Sequence, residues 1–137
     1  MKARQLLVGL VLAILGFSYA QAGEDRSFDP YMRVAINEVK AILIAAGKCS
    51  DMNDCSKRDI VFFNPKPKGV DLTVYGITDP AIVQIIITAM AKQYYSLPSG
   101  SSLRVRFFVH THSEDMKRGF LRSAPVFAEL SFTSLNQ

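Results

Sequence analysis

Two cysteines and two histidines are all that this chain of 137 residues contains, and that scarcity closes several chemical routes. A structural zinc site needs four ligands, and no further Cys or His lies close in sequence to Cys49 or Cys55. Redox pairs usually separate their cysteines by two residues, whereas five separate these. There is no Gly-x-Ser-x-Gly elbow to mark a nucleophilic serine. Internal repeats, low-complexity tracts and interdomain linkers are absent as well, so a single domain is expected. Beyond the N-terminus no apolar run approaches the roughly 20 residues of a membrane span. The richest, Ala81 to Ala91, is interrupted by Gln84 and Thr88. The carboxylates Asp51, Asp54, Asp71, Asp79, Glu114 and Asp115 are expected in loops or on an exposed face, not as a pair in a cleft. No catalytic set or cofactor site is expected.

The first 22 residues form the clearest pattern. Met1-Lys2-Ala3-Arg4 is a positive start, Leu6 to Phe17 is unbroken apolar sequence, and Ser18-Tyr19-Ala20-Gln21-Ala22 is a small-x-small cleavage motif. Cleavage is expected after Ala22, with Ala20 as the alternative. Lipid attachment would need a Cys at that site, and the first Cys is Cys49. Export to the periplasm or beyond excludes most nucleotide and nucleic-acid chemistry, and no integral membrane segment is expected after cleavage. Removal of Lys2 and Arg4 leaves 14 basic against 12 acidic residues in 23–137. The mature charge therefore gives no argument for a polyanionic partner.

In an exported chain, Cys49 and Cys55 are expected to form a disulfide. The segment between them is polar and turn-forming. A ring this small contributes roughly 2 kcal/mol and would hold the exit from the first helix.

Asp29-Pro30 reads as a cap and an early proline. Met32, Ala35, Ile36, Val39, Ile42, Leu43 and Ala46 recur at helical spacing, and Gly47 is a natural stop, so a helix is expected over 30–46. Residues 60–64 and 70–77 read as a hairpin around Pro65-Lys66-Pro67-Lys68-Gly69. A second helix follows Thr78-Asp79-Pro80 and runs to about Tyr95. It is apolar almost all round and should be buried on more than one side, beside the first helix or against another subunit. Leu103, Val105, Phe107 and Val109 alternate with Arg104, Arg106, Phe108 and His110. Val126, Ala128, Leu130 and Phe132 alternate with Phe127, Glu129, Ser131 and Thr133. Residues 111–123 read as a polar, basic connection.

The expected fold is α+β in the order α-β-β-α-β-β, one mixed sheet with two helices packed on one face. The opposite face would carry Asp71, Thr73, Tyr75, Arg104, Arg106, Phe108, Phe127 and Glu129. Arg mixed with Tyr and Phe is the composition of a binding surface. It is also compatible with a solvated face in which Asp71 pairs with Arg104 or Arg106. On an extended chain His110, His112 and Glu114 would share one side and could hold zinc or copper. Lys117, Arg118 and Arg122 make the long connection basic and could attract an acidic partner or the anionic membrane surface, although such a run is more often a solvated connection.

The stretch 70–109 resembles a BON domain, a small module of bacterial envelope proteins that binds surfaces or partners. The resemblance lies in Val70-x-Leu72-x-Val74-x-Gly76, the helix after it and the Val-rich return strand. It implies topology only. The Arg-rich strand and the cysteine pair are not part of it.

Taken together, these features lead to an exported envelope protein that binds a protein partner through Tyr75, Arg104, Arg106, Phe108 and Phe127. Replacing Arg104 and Arg106 is expected to abolish binding and leave folding intact. Two alternatives are an immunity or inhibitor protein acting on a toxin or cell-wall hydrolase, and a metal-binding protein using His110 and His112. The pattern also allows a homo-oligomer.

Overall fold

The computed structural model describes residues 26–117 and 126–133. The leader expected over 1–22 lies outside the described residues, as do Arg118 and Arg122 of the basic connection.

Helix α1 spans Asp29–Ala45 and buries Met32, Ala35, Val39 and Leu43, the row that the helical spacing picks out. It begins one residue earlier than the cap reading places it. Phe28 is the N-cap, with no side-chain cap bond. Asp29 sits inside the first turn, where its charge favours the positive end of the helix dipole, and it accepts a 2.8 Å bond from Arg26 Nε. The C-terminus is a Schellman stop. Lys48 N–H donates to Leu43 C=O and Gly47 N–H to Ile44 C=O, while Gly47 takes φ +75°, a conformation that glycine adopts without a Cβ penalty.

The polar segment between the cysteines is more ordered than a turn. Met52–Lys57 forms a short helix, α2, capped by Asp51. Asp51 accepts from Asp54 N–H at 2.7 Å, and Asp54 in turn accepts from Ser50 N–H at 2.8 Å and Arg58 Nε at 3.0 Å. The disulfide Cys49–Cys55, with Cα atoms 5.2 Å apart, is buried and closes this turn. Lys40 Nζ donates to Ser56 Oγ across to α1.

Strands β1 (Val61–Phe63) and β2 (Gly69–Tyr75) pair antiparallel. Helix α3, Pro80–Ser96, starts at Asp79, whose carboxylate accepts from Ala81 N–H at 2.9 Å. It returns the chain to β3, Ser102–Phe108, which pairs parallel with β2. A second short helix, α4, occupies His112–Lys117, where an irregular connection was expected. Strand β4, Val126–Phe132, then pairs antiparallel with β3. The result is an α+β fold with one mixed sheet in the order β1-β2-β3-β4.

The two long helices contact each other and pack on the sheet. Val70, Leu72, Val74, Leu103, Val105 and Phe107 form the inner rows and join Met32, Leu43, Ile86 and Met90 in one hydrophobic cluster. Helix α3 buries Ile82, Val83, Ile86 and Met90, as expected for a helix lying beside α1 on the sheet. Ile85 points away and is 54% exposed.

Candidate functional site

The outer sheet face is less open than simple alternation implies. Strand β2 is buried on both sides from Gly69 to Val74. Asp71 lies beneath Arg104, which donates through Nη2 at 2.7 Å and Nε at 3.4 Å to the two carboxylate oxygens. Thr73 accepts a 3.1 Å bond from Asn64 Nδ2. Arg104 of β3 and Asn64, just past β1, thus cover the outer side of β2. The side chain of Asp71 is 5% exposed and that of Arg104 37%, so the pair is half dry and half wet. Its hydrogen bond, above all, holds the Arg104 guanidinium above the usual arginine range. Arg104, expected as a partner-binding residue, is therefore engaged within the fold.

Arg106 is placed differently. It stands two residues along β3, with Glu129 opposite it in register, yet among the described residues its guanidinium makes no ion pair. Its Nε is buried without a hydrogen-bond partner. The guanidinium carbon lies 5.5 Å from the centre of the Phe108 ring, within cation–π range.

Phe108 continues into an aromatic cluster at the end of the face. Tyr75 lies 5.4 Å from Phe108, 5.7 Å from Phe62 and 5.2 Å from His112, and Phe62 lies 4.5 Å from His112. Burial pushes the Tyr75 phenol up, the Asp115 charge adds to the shift, and Arg106 opposes it. The hydroxyl consequently keeps its proton at neutral pH and remains a donor. Tyr75, Arg106 and Phe108 are thus brought together, and Phe62 and His112 join them. Phe62 could have been found by counting register: it lies opposite Thr73, on the outer row. His112 could not, because its position depends on α4.

Phe127 is a further departure. Phe107 pairs with Ala128 and Phe108 with Val126, so Phe127 is the extra residue of a bulge. The bulge shifts the alternation by one. Val126, placed by alternation in the inner row, stands opposite Phe108 on the outer face. Val126 is 50% and Phe127 41% exposed, and together they extend the apolar border of the site.

The trio His110, His112 and Glu114 is not assembled as a metal set. The chain turns helical at His112, and Glu114 folds back to accept from Thr111 N–H at 3.2 Å and Thr111 Oγ1 at 2.9 Å. Thr111 Oγ1 accepts in return from Glu114 N–H at 3.2 Å. This is a capping box, and the bond from the Thr111 backbone leads the causes that hold the Glu114 carboxyl below its usual range. No group of three potential metal ligands occurs among the described residues.

Two hollows flank these elements. One of about 410 Å³ opens at the end of β2 between Lys48, Arg58, Tyr75, Gly76 and His112. Another of about 380 Å³ lies between α1 and α3, lined by Glu38, Ile42, Ile85 and Lys92. In the first, Arg58 is already held by Asp54. No family model, curated protein or solved structure matches the chain, so the likeness to BON domains rests on the residues that suggested it.

Proposed function

We propose that the mature protein is an envelope protein of a bacterium, exported to the periplasm or beyond, that acts without catalysis by binding a protein partner. The contact surface is the outer sheet face around Arg106, Phe108, Tyr75, Val126 and Phe127. The observation that carries this reading is the pairing of a guanidinium that makes no ion pair among the described residues with exposed aromatic and aliphatic side chains. Interfaces concentrate their binding energy in such Arg and aromatic anchors. The leader pattern in the sequence and the buried disulfide support the compartment.

The test is affinity capture from an envelope extract with three baits: the mature wild-type chain, a Phe127→Ala/Arg106→Gln variant, and an Ile85→Ala control on the helical side. A protein retained by the wild type and the control but lost from the double variant is the expected result. Equal retention by all three baits would reject the face. Arg104 is left intact because its replacement would expose the fold itself to damage.

A further inference from the structure

We infer that Arg106 is the specificity residue of this face and that it receives the carboxylate of an Asp or Glu side chain presented by the partner between apolar residues. This rests on the outer face being the binding surface, and it names the chemistry that the face selects.

Strand β3 presents two arginines on the outer row, two residues apart. Arg104 has its counter-ion: both oxygens of Asp71 accept from it. Arg106 has none among the described residues, and its Nε is cut off from water with nothing to donate to. A guanidinium offers a rigid fork of donors that matches a carboxylate in two-point geometry. The solvent-excluded Nε is out of a partner's reach, so the carboxylate would seat on the two Nη groups, which make no ion pair among the described residues. Glu129 faces Arg106 across the β3–β4 ladder but forms no ion pair with it. Its charge is instead felt by Arg104.

The surroundings select the kind of anion. Phe108 lies under the guanidinium, and Tyr75 adds a protonated hydroxyl at the same end of the face. Val126 and Phe127 supply apolar contact on the β4 side. Glu129 stands opposite Arg106, and the Asp115 charge is felt at Tyr75. Two carboxylates so placed oppose phosphodiesters and other polyanions more strongly than a single carboxylate held in an apolar setting. An acidic residue flanked by apolar ones fits both requirements.

The experiment is a random-peptide selection against the mature chain, repeated against Arg106→Gln, followed by affinity measurement on the best peptide and on its Glu→Gln (or Asp→Asn) form. Wild type should select peptides with one fixed acidic position. Neutralising that position should weaken binding about tenfold or more, equivalent to about 1.4 kcal/mol or more. The same change should have no effect on binding to Arg106→Gln, and Arg106→Lys should recover part of the loss. Peptides that bind the face, being lost in Phe127→Ala, but need no acidic residue would overturn the assignment of Arg106 and leave the face standing. Peptides indifferent to both Phe127→Ala and Arg106→Gln would overturn both. Tight binding of a single-stranded oligo-dT, lost in Arg106→Gln, would replace the acidic peptide with nucleic acid. Because Arg106 makes no ion pair among the described residues and stacks only on Phe108, Arg106→Gln should melt within a few degrees of wild type. A large fall in Tm would make Arg106 a folding residue and sink the inference.

Discussion

Arg104 and Arg106 are the same residue type on the same row of one strand, and their environments differ. Removing Arg104 leaves the Asp71 carboxylate 5% exposed with its counter-ion gone, and a stranded buried charge is costly. Removing the carboxylate instead leaves an arginine that is 37% exposed and can turn to water. Arg104→Ala should therefore lower stability by about 1–3 kcal/mol, and Asp71→Asn by about 1 kcal/mol or less. Urea unfolding of the two variants compares them directly, and an Asp71→Asn loss larger than that of Arg104→Ala would contradict the asymmetry. The pairing of Arg104 with Asp71 argues against the expectation that both arginines can be removed without harm to folding, and the Arg104→Ala measurement decides it. Spacing alone could not separate the two, because the difference depends on which arginine lies beside the buried Asp71 on the neighbouring strand.

At the scale of elements, the two short helices depend on local carboxylate hydrogen bonds. The Ser50 N–H bond is the leading cause that holds the Asp54 carboxyl below its usual range, with Arg58 contributing. The Thr111 bonds do the same for Glu114. Both folded-state values are depressed, so the folded chain binds fewer protons than the unfolded one in the acid range. The stabilisation is fully present above the ordinary carboxyl value, about 4, and is lost as pH falls through the depressed folded values. The Ser50 amide resonance should therefore hold steady from neutral pH to about 4 and move only below it, and the Thr111 amide should show a step in the same acid range. Asp54→Asn and Glu114→Gln should each abolish the corresponding shift. Movement of the Ser50 amide centred above the ordinary range would refute the arrangement at α2. The disulfide adds a constraint to the same element. Cys49→Ser/Cys55→Ser should cost roughly 2 kcal/mol and expose α2 amides to exchange before the sheet opens. A global loss of protection without that local step would show that α2 and the core unfold as one unit.

Across the whole molecule, the proposed function makes the inner face of the sheet a source of stability and the Val126–Phe127 border of the outer face a contact surface. Phe107 is fully buried among the inner rows, and Phe107→Ala should cost about 3–5 kcal/mol through the cavity it leaves. Phe127 lies on the bulge, 41% exposed, and Phe127→Ala should change stability by no more than about 0.5 kcal/mol while removing partner capture. Thermal or urea unfolding alongside capture reads both effects. A Phe127→Ala chain that fails to fold would show that the outer border is part of the core.

The sequence by itself determined the α+β order, the two long helices, the inner apolar rows of β2 and β3 and the cysteine pairing. Each follows from a period or a spacing that is local to the element. Helical recurrence marks α1 and α3, and strict alternation marks β2 and β3. Only the tertiary structure decided which arginine is neutralised, that Asp71 and Thr73 are roofed over, and that Phe127 sits on a bulge. It also decided that His112 leaves the proposed metal trio to pack on Phe62 and Tyr75. These features depend on register between strands distant in sequence and on a short helix whose apolar pattern is too brief to announce itself. The outer face carries its meaning in pairwise contacts, and composition alone does not encode which pairs will form.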